Sequence, residues 1–76
     1  MKNTVYIIMV NDNRFYVKMY PTPGGWHIED VCSVKYAKFF NTEESVTRQL
    51  KIIRNRAPQI RSQAFKVSLS IEEELA

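Results

Sequence analysis

The residues able to perform acid–base, nucleophilic or metal chemistry are few. The chain holds one histidine, His27, and one cysteine, Cys32. Paired with Cys32 or Glu29, His27 could be drawn as a thiol–imidazole or acid–base couple, the arrangement that activates a nucleophile. A lone histidine beside a turn is far more often a surface residue, and the couple carries no further motif. A structural zinc site needs four nitrogen or sulfur ligands, more than this pair supplies. Gly24-Gly25 reads as a turn and not as a phosphate loop, because no helix begins after it. No catalytic triad, Walker loop or dinucleotide glycine pattern is present. The sequence therefore predicts no enzyme, no cofactor and no metal.

Binding chemistry is better represented. The segment Arg14-Phe15-Tyr16-Val17-Lys18-Met19-Tyr20 alternates, which in a strand puts Phe15, Val17 and Met19 on one face. Arg14, Tyr16, Lys18 and Tyr20 fall on the other, and Trp26 follows just after the next turn. Aromatics and arginine supply most of the binding energy at protein interfaces, so these five residues form the first candidate site. The bland alternative is that tyrosine and lysine are simply good solvent-facing strand residues. The same stripe could stack bases and hold phosphates, although no RNP-type glycine–aromatic run accompanies it. A second candidate, for nucleic acid, is the basic set Arg48, Lys51, Arg54 and Arg61, with Arg56 among them. On a helical wheel these cations spread widely, and Glu44 lies one turn before Arg48, so a solvated face competes with that reading. Ile52 falls among them, away from the apolar stripe of the same segment.

The elements that must position these residues follow from periodicity. Thr4 to Val10 is apolar at nearly every position, which predicts a strand covered on both faces at the centre of a sheet. Asn11-Asp12-Asn13 tolerates left-handed backbone and joins it to Arg14–Tyr20 as a hairpin. Pro21-Thr22-Pro23-Gly24-Gly25 should end the second strand. Trp26–Glu29 fits a short third strand, 30–35 an irregular connection, and 36–39 one more extended piece. Asn41 with Glu44 forms a capping-box pattern opening a helix of about 15 residues. Its stripe is Val46, Leu50, Ile53 and Ala57, and Pro58 forces its stop. Phe65, Val67, Leu69 and Ile71 alternate with polar residues in a last strand.

The order β-β-(β)-α-β predicts an α+β fold. It would be a two-layer sandwich in which one helix lies on one face of an antiparallel sheet of three to four strands. In that arrangement the helix stripe, Phe15/Val17/Met19 and Phe65/Val67/Leu69 would share one core. Seventy-six residues make a single domain, 1–76, and residues 72–76 read as a frayed acidic tail. Hydrophobic residues at 45% and charged residues at 25% exclude a disordered chain. No run reaches the roughly 18 apolar residues of a membrane span, and no signal-peptide pattern appears. With a single cysteine and hence no internal disulfide, the expected location is the cytoplasm. The formal charge is +3, yet up to Ile71 eleven Lys and Arg face five Asp and Glu. That balance suits an anionic partner. An exposed edge strand or open sheet face would also offer a route to a homodimer.

Ala37-Lys38-Phe39-Phe40-Asn41-Thr42-Glu43-Glu44, following the hairpin, resembles an "A-x-x-F-x-T-x-E" phrase. It is similar to a phrase in small ββαβ proteins of bacteriophages and prophages, of accessory or anti-defence type such as anti-CRISPR proteins. The phrase encodes a core aromatic and a helix cap. The resemblance implies an accessory role in the host bacterium's cytoplasm: binding a host enzyme, blocking a defence protein such as a CRISPR effector, or helping regulate DNA. The expectation from the sequence is thus a non-enzymatic protein-binding module, an inhibitor or modulator of a host or defence protein. The alternative is a nucleic-acid-binding accessory protein using the helix cations.

Overall fold

The computed structural model describes residues 2–70. In chain order it contains β1 (Lys2–Val10), β2 (Arg14–Thr22), β3 (Gly25–Val31), a 3-10 turn (Val34–Tyr36), α1 (Glu43–Arg56) and β4 (Ser62–Ser70). The four strands form one antiparallel sheet in the order β3-β2-β1-β4, and α1 packs on it against β1 and β4. The α+β fold is as the periodicities predict, with four strands. The acidic segment 72–76 lies outside the described residues. β1 sits between β2 and β4, as its apolar sequence requires: Val5 and Ile7 are buried on one face, Ile8 and Val10 on the other.

The β1–β2 turn uses left-handed backbone at Asn11 (φ 52°) and Asn13 (φ 63°), a conformation asparagine tolerates better than most residues. The Asn11 amide donates to the Arg61 carbonyl at 2.7 Å, which ties the hairpin to the start of β4. From there the two central strands soon part. Among the described residues, β1 pairs with β2 only at Val10–Arg14 and Met9–Phe15. The chain between the 3-10 turn and α1 enters the gap. The Lys38 amide donates to the Tyr16 carbonyl at 3.0 Å, and Phe40 and Tyr6 exchange both backbone hydrogen bonds at 2.8 and 2.9 Å. The extended piece expected at 36–39 is displaced: Tyr36 belongs to the 3-10 turn, and it is Lys38 and Phe40 that bond to the two strands and satisfy groups their divergence would leave unpaired.

Two expectations about faces are overturned. In β2, Tyr16 pairs with Asp30 while Lys18 pairs with Glu29, so a bulge adds one residue to β2. A bulge sets two residues against one and reverses the alternation beyond it. Tyr16 and Met19 therefore both face the helix, whereas Phe15 and Val17 do not. In β4, Phe65 pairs with Ile7 and Val67 with Val5, on the face away from the helix; Ser62 and Ala64 pair with Val10 and Ile8 on the helix side. Ser62 is buried there, whereas Ala64 is exposed beside the helix. The core under the helix is Ile8, Val10, Tyr16, Ile28, Val46, Ile53 and Ala57, with Tyr6, Met19, Phe40, Leu50 and Ile60 packed around it. Phe15, Val17, Phe65 and Val67 do not join it, and the Leu69 side chain lies outside the described residues.

β2 also continues through Pro21 to Thr22, where Thr22 pairs with Gly25. Because β1 has already diverged, one side of β2 there is an edge, where proline's missing donor is tolerated. The turn closes at Gly25 with φ 124°, which L-residues rarely adopt.

The helix begins one residue later than the capping-box reading places it. Thr42 is the N-cap: its Oγ1 accepts from the Ser45 amide at 3.1 Å, from extended backbone at φ −130° and ψ 152°. Phe40 is held by Tyr6, so Asn41 and Thr42 make the turn and Asn41 falls outside the cap. Glu43 and Glu44 occupy the first turn and Arg54 and Arg56 the last, both favourable to the helix dipole. Thr42→Ala should therefore lower unfolding free energy by about 1 kcal/mol in urea titration. Asn41→Ala should change it by less than about 0.5 kcal/mol; the reverse ranking would place the cap at Asn41.

Candidate functional site

The bulge divides the first candidate site between two faces of the sheet. Tyr16 is a core residue, only 5% exposed, and its hydroxyl oxygen accepts from Gln49 Nε2 at 3.0 Å. Burial raises its phenol pKa, against a smaller lowering by the Gln49 hydrogen bond. Trp26 is half-buried beneath the guanidinium of Arg56, whose Cζ lies 4.0 Å from the ring centroid. Arg14 is held by Asp30, with Nε and the terminal nitrogen at 2.9 and 2.7 Å from Oδ1. These three residues sit on the helix side, so they do not share a surface with the remaining two.

Lys18 and Tyr20 lie on the open side. The Lys18 ammonium is 5.9 Å from the Tyr20 ring centroid and 4.0 Å from Glu29. Tyr20 in turn packs beside His27, with ring centroids 5.0 Å apart and planes tilted by 48°. This exposed aromatic–basic strip follows the β2–β3 end of the sheet.

Next to it the open face is apolar. The cross-strand pairs Val5–Val67, Ile7–Phe65 and Met9–Phe15 place apolar side chains together on it. Phe40 points into the core, so alternation carries Phe39 to the open face. Phe39 and Phe65 remain 38% and 40% exposed, whereas Ile7 beside Phe65 is 3% exposed. The alternation of Phe65 and Val67 is legible in the sequence, but the face it presents is the one opposite to the expected helix side. For Phe39 the signal in the sequence is its doublet with Phe40, since one of two adjacent extended residues must point away from the core.

The helix cations are largely engaged. Arg48 pairs with Glu44 at 2.9 Å and Arg61 with Asp12 at 3.4 Å, while Arg54 donates to the Ser62 carbonyl at 2.8 Å. Lys51 is exposed on the next turn. Each pair reduces the local excess of positive charge that a phosphate backbone would meet. Ile52 is half-buried and lines a groove between α1 and β2.

Cys32 is free and exposed just after β3, and His27 is occupied by its Tyr20 contact. Among the described residues, no group of three or more His, Cys, Asp or Glu is placed to hold a metal ion. Among the same residues, no helix is long and apolar enough to cross a membrane. Compared with known proteins, the chain matches no family model, no curated protein and no solved structure.

Tyr16 is the buried member of the first candidate set, so its replacement tests the core. Tyr16→Ala should cost about 3–5 kcal/mol in denaturant unfolding, whereas Tyr16→Phe should cost about 1 kcal/mol. The folded phenol pKa lies above its unfolded value. Its contribution is therefore complete below about pH 10 and is lost as pH rises through the folded pKa. Alkaline titration of unfolding free energy should show a shallower decline for Tyr16→Phe than for the parent; equal slopes would remove Tyr16 from the linkage.

Proposed function

We propose that the chain is a non-enzymatic protein-binding module that engages its partner through the open face of its sheet. The observation that carries this reading is the exposure of Phe39 and Phe65 on the face opposite the helix. Phe15, Val17 and Val67 surround them, and Lys18 and Tyr20 form one rim. An apolar centre with an aromatic and basic rim is the composition of protein interfaces. Large exposed aromatics that share one face suggest a surface kept for contact.

The partner would present an apolar patch with acidic residues near it, because the chain up to Ile71 carries eleven basic against five acidic side chains. Complementary charge of this kind speeds and orients encounter more than it tightens binding. The biological role is the one implied by the resemblance to phage and prophage proteins: modulation of a host or defence protein in the bacterial cytoplasm.

The test compares the parent with Phe39→Ser/Phe65→Ser in pull-downs from lysate of the native host, with and without nuclease. Matched thermal unfolding first establishes that both proteins are folded. The expected result is nuclease-resistant recovery of a specific protein by the parent, with affinity for that purified protein reduced at least about tenfold in the variant. Equal affinity of parent and variant would take the site off this face. Recovery abolished by nuclease would favour the helix cations and a nucleic-acid partner. A dimer in light scattering that the double substitution dissolves would make a second copy of the chain the occupant.

A further inference from the structure

The helix side holds a separate site. A groove of about 360 Å³ runs between α1 and β2, floored by Tyr16. Gln49, Ile52 and Arg56 line it from α1, Lys38 and Phe40 from the segment before α1, and Val17, Lys18 and Met19 from β2. Its volume lies in the range of small-molecule pockets. Among the described residues, no carboxylate lines it.

Two of the cations lining it, Lys38 and Arg56, have no carboxylate beside them among the described residues, as is also true of Lys51 and Arg54. Arg14, Lys18, Arg48 and Arg61 each have a carboxylate within 4.0 Å, whereas neither Lys38 nor Arg56 makes an ion pair among the described residues. Instead each lies near an aromatic ring: Arg56 is 4.0 Å from the Trp26 centroid and Lys38 is 6.0 Å from that of Phe40. Such contacts orient a cation without neutralising it. The Tyr16 oxygen accepts from Gln49, which leaves its phenolic hydrogen as a donor.

We propose that this groove binds a phosphate monoester, with Lys38, Arg56 and the Tyr16 hydroxyl holding the phosphate and Ile52 and Phe40 contacting the attached apolar body. Two cations and a neutral donor match a head group of nearly two negative charges and three acceptor oxygens better than a singly charged carboxylate. The groove shares Val17 and Lys18 with the interface proposed above, but Lys38, Arg56 and the Tyr16 hydroxyl have no part in that interface, so substitutions at Lys38 and Arg56 test this site separately.

Phenyl phosphate, inorganic phosphate and phenol serve as probes. Fluorescence of Trp26, the only tryptophan, and the Gln49 side-chain amide resonances report occupancy. Phenyl phosphate should shift both signals saturably in the millimolar range or below, inorganic phosphate about tenfold more weakly, and phenol not at all. Lys38→Ala and Arg56→Gln should each weaken phenyl phosphate at least about fivefold by the Gln49 signal, Arg56→Lys less, and Lys51→Ala not at all. The proposal is overturned if there is no saturable shift at tens of millimolar, or if phenol matches phenyl phosphate. It is equally overturned if Lys51→Ala loses as much affinity as Lys38→Ala, which is diffuse screening. Free phosphotyrosine and a phosphotyrosine peptide separate the sources of the phosphate. Tighter binding of the peptide assigns a modified protein side chain, and equal binding assigns a free metabolite.

Discussion

The paired backbone hydrogen bonds between Phe40 and Tyr6 hold together the parts of the molecule that the strands alone would leave apart. β1 and β2 separate soon after their turn, and open backbone groups would line the gap between them. Residues 38–40 close it by bonding Tyr16 on one side and Tyr6 on the other. The same attachment sends Phe40 into the core and Phe39 to the opposite face. It also sets where the chain turns into α1, and hence that Thr42 caps it. Lys38 reaches the helix-side groove because its backbone is fixed at this point. One short extended segment therefore fixes residues on both surfaces discussed above.

Much of the architecture was legible because it is periodic. The apolar run of β1, the asparagine turn, the stripe Val46/Leu50/Ile53/Ala57 and the breaks at Pro21–Gly25 and Pro58 each correspond to local physics. The candidate surface was less legible, for one reason repeated twice. Alternation says which residues share a face but not which face meets the helix. In β2 a single extra residue reverses the alternation, and no residue type near Val17 announces it. In β4 the small residues Ser62 and Ala64 occupy the helix-side positions, Ser62 buried and Ala64 exposed, while the larger Phe65 and Val67 look the other way. A rule that turns large apolar side chains toward the nearest helix fails there. Unbroken alternation puts Tyr16 on the outer face with Lys18 and Tyr20, and Trp26 follows just after the turn. Each instead meets a polar group from α1, Gln49 or Arg56.

Charge shows a similar division between count and arrangement. The excess of basic residues is real, yet several are neutralised locally by Glu44, Asp12, Asp30 and Glu29. Pairs this exposed add little stability. Their larger effect is on the surface field, which they thin out along the helix and at the hairpin. Positive charge is then left near the groove, where Lys38 and Arg56 rest near aromatic rings.

The register that joins β1 to β4 runs from Lys2–Ser70 to Val10–Ser62. Each of its pairs closes a loop spanning most of the molecule, so chain-closure entropy must be met before the central strand gains its second neighbour. During synthesis, β1 can find β2 early but must wait for β4 to leave the ribosome. Until then its apolar Val5, Ile7 and Ile8 have no lasting cover on that side. A nascent chain of this topology is most vulnerable to mispairing at its first strand, and its folding is completed by its last.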